Sequence, residues 1–382
     1  MKTSIVAALI AASLGISAAQ AEIIVGFVTS QSGPGSSIGV LYDRGMKAAV
    51  EYANSVGEEK IRLIQLDDGS DPSAATRNAR KLVEENKVDL LIGTATAPSS
   101  IAMVAVANEL KVPMIALSPI TVPAADSGDR WAIAMPQPPS MMVKVVVDRM
   151  KRDGVKAFAY IGFSDAWGDL VYNGAQKPAE AGGLKVLTNE RYSRTDTSVT
   201  GQVLKMLATR PDAVLLGGSA TQGALPPLAL AERGYKGPLY GTPALLNTDF
   251  IRVGGKAVEG VLVSAGPVIV AEQLPDAHFS KKISMDFRAA YQKANGMATS
   301  DGFSAYSFDA WVVFLDAAKR AMATAKPGTP EFRVALRNAM FSTRDLVGTH
   351  AVYNFKPGDS YGVDERALVL VRLVNGQWKY DP

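Results

Sequence analysis

Residues 30–39 read SQSGPGSSIG and follow the apolar run Ile23-Ile24-Val25-Gly26-Phe27-Val28. Glycines at 33, 35 and 39 just after a candidate strand admit two readings. They could bring backbone N–H groups up to a dinucleotide phosphate, or they could open a helix that presents those groups to a small polar ligand. For a nucleotide stands the acidic pair Asp67-Asp68 at the end of the second apolar run, where a ribose-binding carboxylate could sit. Against it, the spacing departs from G-x-G-x-x-G, and Pro34 removes one donor between the first two glycines. The loop is therefore read as a helix opening that faces a small polar ligand.

Working outward from it, short apolar runs alternate with helical patterns. A helix is predicted from about Gly39 to Asn54, with Val40, Met46, Ala49 and Val50 interspersed among Asp43, Arg44, Lys47 and Glu51. A strand follows at Ile61–Leu66, and Asp71-Pro72 then supplies an N-cap and a first-turn proline for a helix through Val83. Leu90–Ile92, Met114–Leu117 and Trp131–Met135 are further strand candidates, with a helix at Ile101–Leu110 between the first two. This is the βαβ rhythm of a parallel sheet covered by helices on both faces. It restarts after Pro136-Gln137-Pro138-Pro139, with a helix at about Met141–Arg152 and strands at Ala157–Ile161, Val214–Leu216, Leu239–Tyr240 and Val261–Val263. Two successive open α/β units are the economical account, and the proline-rich stretch marks a crossing between them.

The N-terminus reads as an export signal. One lysine precedes the apolar run Ile5–Ile16, and Ser17-Ala18-Ala19-Gln20-Ala21 ends in an A-x-A pattern, which predicts a signal peptide over 1–21 and a mature chain from Glu22. That run is short for a membrane span. Cysteine is absent, which excludes a lipidated cysteine, a disulfide and a thiolate metal site. A soluble product in a Gram-negative periplasm is expected. The remaining chain of about 360 residues fits two domains at roughly 150 residues each. Charge is nearly balanced, 40 Lys and Arg against 37 Asp and Glu, with no basic run interleaved with aromatics, so a nucleic-acid groove is not expected. An enzyme is not expected either. The two histidines, His278 and His350, sit in no H-E-x-x-H pair, and Ser219 in GGSA lacks the G-x-S-x-G elbow.

An ordered set of segments resembles a known family. SGPGSSIGVLYDRGMKAAVEYAN, IRLIQLDDGSDPSAATRNARKLVEENKVDLLIGT and VPMIALSPITVP are similar to the first lobe of the type I periplasmic solute-binding proteins of ABC transporters, the leucine/isoleucine/valine-binding family. The similarity continues through YIGFSDAWGD, PDAVLLGGSATQG, LYGTPALLN, VEGVLVSAG and SAYSFDAWVVFLDAAKRA. The resemblance implies an α/β fold of two Rossmann-like lobes joined by three hinge crossings and closing on a ligand. Lobe 1 would comprise 22–138 and 267–350, and lobe 2 would comprise 139–266 and 351–382. It further implies a monomeric receptor that takes a small-molecule ligand to an ABC permease in the inner membrane, with no cofactor and no metal.

Carried over residue by residue, the resemblance is most informative where it fails. Where the amino-acid binders hold the ligand carboxylate with a serine, this chain has Ala97. Thr96-Ala97-Pro98-Ser99-Ser100 still opens a helix, so that backbone N–H groups aided by Ser99 or Ser100 could bind an anion, or the hydroxyls could simply cap the helix. The family's next polar contact falls on Thr121, with Ser118 competing for the role. Of three aromatic positions, Ile38 and Ser219 lack the ring, whereas Trp167 offers an indole face as a platform or as plain packing. Where the family places a glutamate for the α-ammonium, this chain has Pro243. Burying an ammonium without a carboxylate costs several kcal/mol, so the expectation is a small aromatic carboxylate, with a branched-chain amino acid or an aliphatic amide as the alternative.

Overall fold

The computed structural model describes residues 22–123, 128–299, 301–356 and 358–382, so the expected signal peptide lies outside the described residues. The first unit builds one sheet from β1 (Ile23–Thr29), β2 (Ser55–Val56), β3 (Glu59–Asp67), β4 (Leu90–Gly93), β5 (Met114–Ala116) and β6 (Ala132–Ala134), in the order β2-β3-β1-β4-β5-β6. All neighbours are parallel except β2 and β3. Helices α1 (Ser36–Tyr52), α2 (Pro72–Glu84) and α3 (Ala97–Leu110) connect the strands. Along β1, Ile23, Val25 and Phe27 face the core shared with α1, whereas Val28 joins the core under α2 and α3. That alternation is the period-two signature of a strand buried on both faces.

The second unit opens with α4 (Pro139–Arg152) and adds β7 (Ala157–Phe163), α5 (Ala166–Gly182), β8 (Lys185–Tyr192), α6 (Thr200–Ala208), β9 (Ala213–Gly217), α7 (Leu225–Glu232), β10 (Leu239–Gly241), α8 (Thr248–Gly254) and β11 (Leu262–Ala265). The chain then returns through a 3₁₀ turn at Pro267–Gln273 to α9 (Lys281–Asn295), α10 (Ser304–Ala321) and α11 (Pro330–Phe341). Both α9 and α10 pack on α1 of the first unit. After the short ribbon of β12 (Leu346–Val347) and β13 (Val352–Tyr353), the chain crosses again to β14 (Val369–Val374) and β15 (Gln377–Tyr380). These close the second sheet, whose order is β15-β14-β11-β10-β9-β7-β8. Three crossings thus join two doubly wound sheets. In each sheet the winding reverses beside the first strand, between β1 and β4 and between β7 and β9, and such switch points open a crevice at the strands' carboxyl ends.

Several elements differ from the sequence reading. Helix α1 starts at Ser36 rather than Gly39, because Gly35 carries the N-cap and its carbonyl accepts from Ile38 and Gly39 at 3.0 Å. Helix α3 starts at Ala97 rather than Ile101, capped by the Thr96 side chain with Pro98 in its first turn. Strand β8 was missed because it is an edge strand, half exposed and polar in composition, and carries no apolar run. Beyond residue 350, where the resemblance ends the first lobe, Tyr353 donates its hydroxyl to Asp309 at 2.8 Å and Phe355 is buried in the core around α10.

The glycine loop is held by the acidic pair at the end of β3. Asp67 accepts from the backbone N–H of Gln31 at 2.8 Å and Gly69 at 2.9 Å, and from the Ser32 hydroxyl at 2.7 Å. Burial pushes its pKa up, but those hydrogen bonds outweigh burial and hold it below the usual carboxylate value. Asp68 accepts from Ser30 and Thr94, each at 2.6 Å. The acidic pair is therefore committed to joining three loops. A Cβ at Gly39 would come within 1.9 Å of the Ser30 carbonyl oxygen, so the third glycine is what lets α1 lie on the end of β1.

Candidate functional site

The carboxyl ends of the two sheets face one another across a cavity. From the first unit, Ile38 and Tyr42 reach it from one face of α1, being four residues apart. Ala95 and Ala97 follow β4, Ser118 and Pro119 follow β5, Pro136 follows β6, and Phe303 and Tyr306 open α10. The second unit contributes Met142 from α4, Trp167 from α5, Ser219 after β9, and Pro243 and Ala244 after β10. The walls are mostly apolar and carry four aromatic rings, the pattern of a small-molecule site in which a few polar atoms set orientation.

Of the residues singled out in the sequence, Ile38, Ala97, Ser118, Trp167, Ser219 and Pro243 line this cavity. Thr96, Ser99, Ser100 and Thr121 do not. Thr96 Oγ1 accepts from the Ser99 N–H, and Ser100 Oγ lies 3.2 Å from the Thr94 N–H and 3.4 Å from its carbonyl, so these hydroxyls cap and brace the start of α3. Thr121 is exposed, whereas Ser118 is buried at the end of β5, which reverses the order of preference between them.

Trp167 is nearly buried, and its indole N–H donates to the Gly218 carbonyl at 3.4 Å, which leaves the ring rather than the donor for the cavity. Asp165 caps α5 through the N–H groups of Trp167 and Gly168 and so fixes where the indole stands. Tyr42 donates to the Leu117 carbonyl at 2.5 Å. Tyr306 donates to Gln137 Oε1 at 2.7 Å, and Gln137 Nε2 donates to the Ala367 carbonyl at 2.8 Å. Burial pushes both phenols well above their ordinary pKa, so they remain neutral. Behind Tyr306, His350 stacks at 3.9 Å with an 11° tilt and lies against Gly266, at the second crossing. Burial pushes its pKa down to about 3, so the ring is uncharged.

The buried acids nearby are already engaged. Asp301 accepts from the Phe303 and Ser304 N–H groups at 2.7 Å, and Asp309 from Thr349, His350 and Tyr353. Neither lines the cavity. No group of three or more His, Asp or Glu that could hold a metal occurs among the described residues.

Two sheets of this winding, three crossings and a cleft between their carboxyl ends find their match in one family model, described as periplasmic binding protein, over residues 22–365. The chain belongs to that family. Its similarity to a crystal structure of an extracellular ligand-binding receptor from Rhodopseudomonas palustris HaA2 is close: 42% identity, 94% of this chain and 100% of that one, TM-score 0.90. It is 25% identical over 260 residues to the Leu/Ile/Val-binding protein homolog 3 of Brucella melitensis, which is 66% of this chain and 70% of that protein. A leucine binding protein from Thermotoga maritima shares the fold at 22% identity and a TM-score of 0.78, over 94% of this chain and 98% of that one. Among the described residues, no helix is long and apolar enough to cross a membrane.

Sequence reasoning missed Tyr42, Met142, Phe303 and Tyr306. Tyr42 had a usable signal, since it stands one helical turn after Ile38 and restores a ring to the wall where Ile38 lacks one. Phe303 and Tyr306 come from a segment distant in sequence, and only the packing of α10 on α1 brings them to the site.

Proposed function

We propose that this protein is the periplasmic receptor of an ABC importer and that its cleft captures a small aromatic carboxylate. The observation that carries the reading is the make-up of the cavity. Tyr42, Trp167, Phe303 and Tyr306 wall it, and among the described residues no Asp or Glu lines it. An α-amino acid would bring an ammonium into a site with no carboxylate to meet it, which costs several kcal/mol. A flat ring instead gains offset or edge contacts with the aromatic walls, about 0.5–1.5 kcal/mol per pair beyond burial of its area.

Closing of the two lobes around the ligand supplies the transport signal. A permease in the inner membrane would distinguish the loaded, closed receptor from the empty, open one. The same reading takes residues 1–21 as a cleaved signal and the receptor as a monomer. Its lobes divide at the proline-rich crossing, at Gly266 and after Phe355. No covalent step is required, and Ser219 stands beside a guanidinium rather than a base.

Calorimetric titration with benzoate, 4-hydroxybenzoate and leucine tests it. The aromatic acids are expected to bind at least about tenfold more tightly than leucine, one ligand per chain, and to be recovered unchanged. Tight leucine binding with no aromatic acid bound would replace this reading with the branched-chain amino-acid alternative.

A further inference from the structure

Resting on that reading, we infer that Ser219, held by Arg194, is the donor that receives the ligand's negative end on the second-lobe wall, and that Arg194 is a specificity-determining residue of this site.

The direction of the hydrogen bonds carries the inference. A guanidinium only donates. Arg194 Nη1 lies 3.2 Å from Ser219 Oγ, so one lone pair of that hydroxyl is taken and its hydrogen remains to be given. Among the described residues no acceptor takes it, and Ser219 lines the cavity. On the first-lobe wall the order is reversed. Ser118 Oγ donates to the Thr94 carbonyl at 2.8 Å, Tyr42 to Leu117, and Tyr306 to Gln137. Each of those hydroxyls spends its hydrogen on protein and presents only lone pairs. The cavity therefore has a donor pole on the second lobe and side-chain acceptors on the first.

Arg194 is built in place rather than loosely paired. Its Nε donates to Asp165 at 2.6 Å, and its guanidinium carbon lies 4.1 Å from the centre of the Phe163 ring. Asp165 offsets that charge but also caps α5, whose N-terminal dipole adds positive potential on the same wall. The first-lobe alternative, the start of α3, keeps the Ala97 N–H and the buried Ser99 hydroxyl without a protein partner among the described residues, but Ser99 does not line the cavity and the other polar groups there are engaged. The Ser99 N–H is capped by Thr96, the Ser100 N–H bonds the Thr96 carbonyl, and Pro98 has none. No local pattern marks Arg194, because it lies 25 residues from Ser219 in the chain and outside the short segments that carry the resemblance.

The test compares benzoate with benzamide, a neutral ligand of nearly the same shape, in the wild type, Ser219→Ala and Arg194→Gln. The expected result is that each substitution weakens benzoate about tenfold or more while benzamide changes less than about threefold, so the preference for the anion collapses. Arg194→Lys keeps a charge and should restore part of it. Because the readout is a ratio within one protein, a general loss of packing moves both ligands together. Benzoate binding with an unmoved ratio in both variants overturns the role of Arg194 and leaves the aromatic-acid reading standing. A wild type that binds leucine and not benzoate overturns both.

Discussion

Asn247 Nδ2 donates to the Ser37 carbonyl at 2.7 Å, joining the second lobe to the first across the mouth of the cleft. The amide cannot turn round, because its Oδ1 accepts from the Asp249 N–H at 2.7 Å as the cap of α8. One residue earlier, the Leu246 carbonyl accepts from Gly302 on the opposite lobe at 3.2 Å. Both bridges stand next to cavity residues, Ile38 beside Ser37 and Phe303 beside Gly302. Under the proposed function, closure would draw on these protein-to-protein hydrogen bonds as well as on the ligand.

Asn247→Asp isolates that bridge. Aspartate caps a helix as well as asparagine does, but it offers the Ser37 carbonyl no donor. A lost hydrogen bond of about 1 kcal/mol, plus repulsion between two acceptors, should weaken ligand binding by about five- to tenfold through faster release. The unfolding midpoint without ligand should change little. Stopped-flow release rates check this, and unchanged release would show that the bridge does not hold the cleft shut.

Trp167→Leu should remove the ring while keeping an apolar side chain. Aromatic ligands should lose about 0.5–1.5 kcal/mol, roughly two- to tenfold. A saturated analogue, cyclohexanecarboxylate, should lose less. Equal losses for both would mean that Trp167 acts through packing alone.

Gly39→Ala should be costly, since the new methyl would meet the Ser30 carbonyl oxygen at 1.9 Å and force α1 off the end of β1. Overpacking of this kind costs about 1–3 kcal/mol. Gly201→Ala is the counterpart: it lies in α6 with open space around the added carbon, and alanine is favoured over glycine in a helix by up to about 1 kcal/mol. Urea unfolding should therefore show opposite shifts for the two substitutions.

The pH dependence follows from His350 and Asp309. Burial pushes His350 down to about 3 and Asp309 up to about 6. Unfolded, they return to roughly 6.5 and 3.9. Between about pH 4 and 6 the native state holds its proton on Asp309 and leaves His350 bare, whereas the unfolded chain does the reverse. Proton counts match there, and the two contributions to the slope cancel. His350→Gln removes the term that destabilises on acidification and leaves the Asp309 term, which stabilises. The variant should gain on the wild type as pH falls from 6 to 4, by up to about 1.4 kcal/mol per pH unit. Urea midpoints at pH 4, 5 and 6 check this; a constant difference between the two proteins would exclude it.

The sheet strands and the helices between them were legible because their signals are local. The alternation in β1, the Asp71-Pro72 start of α2 and the prolines before α4 each depend on residues within a turn or two of one another. Trp167, Ser219 and Pro243 were singled out through the family resemblance rather than by a local signal; they line the cavity because they stand in or just before the first turn after a strand, and the ends of parallel strands are where a cleft opens. Edge strand β8 was not legible, because exposure on one side removes the apolar run that marks a buried strand.

What the sequence by itself determined is therefore the alternation of strands and helices in two successive units, the crossing at Pro136–Pro139, and the absence of a carboxylate at Pro243. The packing of α10 against α1 placed Phe303 and Tyr306 in the cavity wall, and the loops that follow β8 and β9, on either side of β7, set Arg194 beside Ser219. Only the tertiary structure decided those contacts. Hydrogen-bond direction was equally beyond the sequence, since a hydroxyl becomes a donor or an acceptor toward a ligand according to which neighbour has already used its hydrogen. Ser118 and Ser219 are the same residue type, and they present opposite polarity to one cavity because a carbonyl stands behind the first and a guanidinium behind the second.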